Sequence, residues 1–213
     1  MGHFITFEGT EGCGKTTQII RAAAHLQQRG FTIVPTREPG GCELANRIRA
    51  ILLDPNSRHM VPSTELLLYA AARAQHIDEV IRPALQQGKI VLCDRFCDAT
   101  LAYQGYGRQL PLDAIHWLNH FACGDIVPHL TLWLDLPLNL GLERAQERNA
   151  SQQLENEQRF EQESLNFHQR VQNGYEQLRQ QHPRRIQRIS AEGSVDQVAH
   201  SIATCLDRYF SKV

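Results

Sequence analysis

The segment that most constrains this chain is Gly9-Thr10-Glu11-Gly12-Cys13-Gly14-Lys15-Thr16, which fits G-x-x-x-x-G-K-[ST]. An apolar run at 3–8 precedes it, and an amphipathic stretch runs from Lys15 to just before Gly30. A strand that passes through glycines into a helix is the frame this motif needs. The glycines let the backbone curl with its N–H groups facing inward, and the helix N-terminus adds partial positive charge at the same point. Such a loop holds the phosphates of a nucleoside triphosphate. Lys15 is expected to reach the β- and γ-phosphates, and the Thr16 hydroxyl to sit on Mg2+.

The rest of the chain alternates short apolar runs with longer amphipathic ones, the pattern of an α/β domain with a parallel sheet. Strands are expected at 3–8, 32–36, 89–93, 130–135 and 185–190, the last polar enough for a sheet edge. Helices are expected at 15–29, 43–53, 64–87, 98–104, 112–121, 138–148 and 156–181. A closing helix starts after Ser194, which has capping-box spacing with Gln197. Pro83 should kink or break the long helix. The polar stretch 149–157 reads as an exposed connection, and the arginines around it make it a candidate lid. The 213 residues suit a single domain, with 143–160 as a lid region inside it.

Net charge is −1, from 22 basic and 23 acidic side chains, so no global field draws the chain to nucleic acid or an anionic membrane. No apolar run approaches the roughly 18 residues of a membrane span. Met1-Gly2 with Thr6 matches a myristoylation start, but Phe4, Ile5 and Phe7 read as a buried strand, and no signal peptide is evident. The six scattered cysteines read as free thiols in a reducing cytoplasm. Among the basic residues only Lys15, Lys89 and Lys212 are lysines. The others are arginines, whose planar fork grips phosphate as lysine cannot.

Two strands end in an acid, Asp94 and Asp135, and either could supply a carboxylate near Mg2+. Asp94 is the stronger candidate, because Arg95 follows it at the carboxyl end of the strand, where α/β sheets bind ligands. Switches, motors and kinases all use such a loop. A kinase also needs a second anion site facing the loop, and Arg37, Arg73 and Arg95 can build one. Tyr69 and Arg73 share a helix face and could stack on a base and bond its edge. A core aromatic with a surface arginine fits the same spacing. His116 and His120 read as a solvated helix face, and Arg184, Arg185 and Arg188 as a patch facing solvent or a dimer partner.

Three segments carry a more specific likeness: Phe7 through Thr17, Thr36-Arg37-Glu38-Pro39-Gly40-Gly41, and Asp94-Arg95-Phe96 followed by Ala102-Tyr103-Gln104-Gly105. Together they resemble the bacterial thymidylate kinase family, over essentially the whole chain. The resemblance implies transfer of phosphate from ATP to dTMP with Mg2+, on a five-stranded parallel sheet with helices on both faces, in a homodimer. It implies a nucleotide-binding set of Gly9, Thr10, Glu11, Gly12, Cys13, Gly14, Lys15, Thr16 and Thr17, joined by Arg144. Arg37 and Arg95 would hold the dTMP phosphate, Tyr69 would stack on thymine and Arg73 would bond the base edge. Thr100, Tyr103 and Gln104 would line the sugar and base. Asp94 would help organise Mg2+, and Glu11 would act near the acceptor's sugar and phosphate. A cis Glu38–Pro39 bond is part of the same likeness.

The lid departs from the family pattern. Arg144 and Arg148 match lid positions, but Gln146 stands for an arginine between them and Asn149 for a glycine. Gln158 stands for the Asp before Arg159, whereas Glu161 is retained. Arg148 is the expected transition-state clamp, with Arg159 second. The expected catalytic set is Lys15, Asp94, Arg95, Arg148 and Glu11. Two rivals stay open at this point: a kinase of the same architecture acting on dUMP, UMP or CMP, and a nucleotide-gated binding module.

Overall fold

The computed structural model describes residues 2–57, 59–152, 160 and 163–211, with the side chains of 146 and 148–152 outside that description. Its strands are β1 (His3–Glu8), β2 (Ile33–Arg37), β3 (Ile90–Asp94), β4 (Leu130–Asp135) and β5 (Ile186–Ser190). They form one parallel sheet in the order β2-β3-β1-β4-β5, so the polar β5 does lie at an edge. The helices are α1 (Lys15–Gln28), α2 (Glu43–Leu53), α3 (Pro62–His76), α4 (Arg82–Gln86), α5 (Cys97–Thr100), α6 (Leu112–Cys123), α7 (Leu138–Gln152), α8 (Leu165–Gln181) and α9 (Val195–Phe210).

Successive side chains of a strand point to opposite faces, and here both faces are apolar. Ile5, Phe7, Leu92, Leu132 and Leu134 pack against Ile19 and Leu26 of α1 and Val198 and Leu206 of α9. On the other face Phe4, Val91 and Cys93 meet Ile77, Ile81 and Ala84. Trp133 and Ile186 meet Val171, Tyr175 and Leu178 of α8. Phe4, Ile5 and Phe7 are fully buried, as a core strand requires.

The expected irregularity near Pro83 takes the form of a π-helical turn, Ile77–Ile81, between α3 and α4. Pro83 then falls in the first turn of α4, where its missing N–H leaves no helical bond unmade. A second π-helical stretch, Leu101–Gly107, extends α5 beyond the expected end. Two expectations need correction. The α8 helix begins at Leu165, not near 156, because the Ser164 hydroxyl accepts from Phe167 N and caps it there. The α7 helix runs through Gln152, into the stretch read as a connection. The capping box of Ser194 and Gln197 is present.

The arrangement sets the stage for a site. Register pairs Arg37 and Phe7 with Asp94, so the carboxyl ends of β2, β3 and β1 lie side by side. The loop after β1 enters α1 above that row, at the crevice where open α/β sheets take ligands.

Candidate active site

The phosphate loop is shaped by positive φ values at Gly9 (139°), Gly12 (71°) and Gly14 (86°). A methyl at Gly12 would also run into the Gly141 carbonyl, so glycine is needed there on two counts. Lys15 Nζ donates to the carbonyls of Gly9 at 3.1 Å and Thr10 at 3.0 Å, with Cys13 Sγ at 3.4 Å. These are weak holds on a cation, and they leave it able to turn toward a phosphate.

One cleft of about 980 Å³ connects the loop with the strand ends. Glu11, Gly12, Gly14, Lys15, Thr16 and Thr17 line one end of it, with Arg144. Arg37, Tyr69, Arg73, Asp94, Arg95, Thr100, Tyr103 and Gln104 line the other. Gly9, Thr10 and Cys13 sit in the same loop behind that lining. All three are buried, and Cys13 belongs to the core cluster of Ile5 and Phe7. Arg148 and Arg159 lie outside the described side chains.

The two acid candidates separate cleanly. Thr16 Oγ1 lies 3.5 Å from Asp94 Oδ2, and Asp94 Oδ1 is buried without a hydrogen-bond partner. Hydroxyl and carboxylate oxygens are the donors Mg2+ prefers, so this pair fits that ion. Asp135 instead accepts from Arg188 Nε at 2.7 Å and Gln172 Nε2 at 3.1 Å.

Arg95 is the pivot of the end opposite the loop. Its φ is +66°, a left-handed conformation, and its N–H donates to Phe7 O across the strand ends at 2.9 Å. Its Nη2 donates to Glu11 Oε1 at 2.9 Å, and the Tyr103 hydroxyl donates to the same oxygen at 2.7 Å. Burial works to raise the Glu11 pKa, but Arg95, Lys15 and the Tyr103 hydrogen bond outweigh it and hold the carboxyl below its usual value.

Behind Arg95 stands Glu8, a residue that sequence reasoning did not single out. Its carboxyl is fully buried, accepting from Phe96 N and from the Tyr175 hydroxyl, each at 2.8 Å. Burial, and then the nearby Asp98, push its pKa up to about 8. Tyr175 in turn accepts from Arg95 Nη1 at 3.5 Å. An acid at the buried end of β1, directly before the loop, was the available signal.

Arg73 is no surface arginine. It is 2% exposed, donating from Nε to Glu38 Oε2 at 2.7 Å, from Nη1 to Asn119 Oδ1 at 2.8 Å and from Nη2 to Thr100 Oγ1 at 3.0 Å. Glu38 also meets His76 Nδ1 at 3.0 Å, and His76 Nε2 meets Thr36 Oγ1 at 2.7 Å. This buried network fixes the guanidinium with a fork that only arginine offers. The Glu38–Pro39 bond is cis. Gln104 donates to Glu65 Oε1 at 2.8 Å. Phe160, which the sequence did not flag, packs edge-on to Tyr103 at 5.7 Å between ring centres and lies 6.5 Å from the Tyr69 ring.

Of the basic patch, Arg184 and Arg188 face solvent as expected, Arg188 also pairing with Asp135, whereas Arg185 is turned inward, its Nη2 donating to Asp98 Oδ1 at 2.9 Å. His116 and His120 are exposed on α6.

A family model described as thymidylate kinase matches residues 7–202. The chain belongs to the thymidylate kinase family. It is 58% identical to the thymidylate kinase of Syntrophotalea carbinolica over 95% of this chain and 94% of that one. With the thymidylate kinase of Geobacter sulfurreducens the identity is 56%, over 97% of each. The crystal structure of thymidylate kinase from Ehrlichia chaffeensis superposes with a TM-score of 0.77 at 30% identity, covering 96% of this chain and 98% of that one. Thymidylate kinase membership makes the chain a transferase and removes the gated-module reading. It also explains why the cleft holds cations at both ends.

Proposed function

We propose that this kinase moves the γ-phosphate of ATP onto dTMP, giving dTDP for dTTP synthesis. The observation that carries the reading is one cleft in which Lys15 and Thr16 face Arg37, Arg73, Arg95 and Tyr103. Two anions repel, so bringing them together takes cations around both.

The roles assigned in this reading are as follows. Arg95 and the exposed Arg37 hold the dTMP phosphate, with Glu11 fixing Arg95. Tyr69 covers the base, while Arg73 and Gln104 read its edge from positions set by Glu38 and Glu65. Tyr103, pinned by Glu11, walls the sugar side and favours a deoxynucleotide. Thr16 and Asp94 would hold Mg2+. That ion supplies charge neutralisation between the phosphates. A phosphate monoester is already an adequate nucleophile, so the chain supplies positioning and charge, not a general base. Lys15 turns from the loop carbonyls to the transferring phosphate. Arg148, on α7, clamps the transition state with Arg144 beside it, and the 143–160 region excludes water as a lid.

We further read the enzyme as a cytoplasmic homodimer. Trp117 and Phe121 support the subunit contact: they stack at 5.4 Å and are 63% and 75% exposed. All six cysteines are free, as a reducing compartment expects, and no helix among the described residues is long and apolar enough to cross a membrane.

The test is product formation from ATP and Mg2+ with dTMP, dUMP, UMP, CMP and thymidine offered separately. Strong dTDP formation, weaker dUDP and none from thymidine is the expected result. Preferred turnover of a ribonucleotide would overturn the substrate assignment.

A further inference from the structure

Cys97 opens α5 and Cys123 closes α6, and their Sγ atoms lie 3.3 Å apart. Both thiols are free, and both line a second cavity of about 660 Å³, beside the segment that leads into β5. Neither lines the substrate cleft. A small oxidant can therefore reach the pair while the cleft is full.

What lies behind the pair gives it consequence. Thr100 on α5 and Asn119 on α6 are two of the three side chains that hold Arg73. Phe96, next to Cys97, lines both cavities, and the Arg73 guanidinium sits 5.0 Å from its ring centre. The elements joined by the thiol contact are thus the elements that aim Arg73.

We infer that Cys97 and Cys123 are a modification site for hydrogen peroxide, whose disulfide form weakens dTMP binding. The inference about dTMP rests on the base-reading role proposed for Arg73. The two thiols are unequal. The hydrogen bond from Cys97 draws the Cys123 thiol down against its burial, with the Arg73 cation adding to it. Burial, and then the bond to Cys123, pushes Cys97 well up. Cys123 is the nucleophile and Cys97 the resolving thiol.

Cys123 thiolate attacks one peroxide oxygen, the O–O bond breaks, and the departing hydroxide takes up a proton to become water. The Cys97 sulfur then attacks the Cys123 sulfenic acid. Its S–O bond breaks, and a second water leaves with the thiol proton. Two thiols and one peroxide give one disulfide and two waters. Closing that bond shortens the sulfur separation from 3.3 Å to about 2.05 Å, which draws α5 toward α6 and shifts Thr100 and Asn119 about Arg73.

The test treats the full chain with hydrogen peroxide, alkylates it, digests it without reductant and reads it by mass spectrometry. The expected result is a linked Cys97–Cys123 peptide that dithiothreitol releases. The oxidised enzyme should show a KM for dTMP raised about threefold to tenfold, with the KM for ATP unchanged. Cys97→Ser and Cys123→Ser, made separately, should match the reduced wild type and lose the peroxide response. Absence of the linked peptide overturns the proposal, as does a linked enzyme with unchanged KM for dTMP. So do variants that still respond to peroxide. The peptide is read on wild-type protein whatever its substrate, whereas failure of the fully reduced enzyme to phosphorylate dTMP would sink the function proposed above instead.

Discussion

Arg95 Nη2 lies 2.9 Å from Glu11 Oε1, so the arginine proposed to hold the acceptor is tied directly to the loop proposed to hold the donor. One carboxylate thereby sets the relation between two anion sites. The Tyr103 hydroxyl bonds the same oxygen, which extends the tie to the proposed sugar wall. Glu11→Gln keeps the shape and removes the charge. It should raise the KM for dTMP about tenfold and leave the KM for ATP nearly unchanged. Steady-state kinetics with each substrate varied in turn check this; an equal rise in both would mean that Glu11 only supports the loop.

Arg73→Lys tests the buried fork. A lysine keeps the charge but cannot reach Glu38, Asn119 and Thr100 together, so buried polar partners lose their bonds. The expected loss of stability is about 1–3 kcal/mol, with a rise in the KM for dTMP larger than any fall in kcat. Urea denaturation and kinetics on the same preparation separate the two effects.

Glu8 gives a pH signature of stability. Its pKa is raised to about 8 in the folded chain, from an ordinary value of 4.5. The folded state therefore holds a proton that the unfolded state releases between those values, and stability falls as pH rises through that window. The slope from this group is at most about 1.4 kcal/mol per pH unit. Glu8→Gln, which stays neutral, can keep the acceptor for Phe96 N and turns the Tyr175 contact into one donated by its amide, should flatten the decline between pH 5 and pH 8 (about the span of that window). Denaturation midpoints of the two proteins would change with pH in parallel if Glu8 were ionised throughout.

Asp94→Asn should make catalysis depend on much higher Mg2+, because the ion loses its charged oxygen beside Thr16. A kcat that falls while half-saturation by Mg2+ stays fixed would place Asp94 elsewhere in the mechanism. Asp135→Asn should leave the Mg2+ dependence alone, since Arg188 and Gln172 already hold that carboxylate.

Arg148→Ala should lower kcat by about 100-fold or more, the scale of losing one charge-stabilising group, while the KM for dTMP moves little. Single-turnover rates distinguish a slower transfer step from slower product release. A variant with wild-type kcat would transfer the clamp to Arg144 or Arg159.

Local chemistry made much of the site legible in the sequence. Glycines at positive φ, a lysine and a threonine at fixed offsets announce a phosphate loop wherever a strand feeds a helix, because the backbone itself does the binding. The apolar runs likewise located β1 and β4 to the residue, since a strand buried on both faces cannot hide in polar sequence. The start of α8 was misplaced because the polar residues before it pattern like a helix, and only the Ser164 cap decides where helical bonding begins.

What the sequence could not determine was which distant charges meet. Arg73 and Glu38 are 35 residues apart, and nothing local in either tells a surface arginine from a buried one. The partner of Asp135 was likewise out of reach: Arg188 meets it only because β5 pairs with β4, whereas Asp94 lies beside Thr16. Periodicity and motifs report what a residue does to its own stretch of backbone. The pairing of buried charges depends on burial, and burial exists only once the sheet has brought remote segments together.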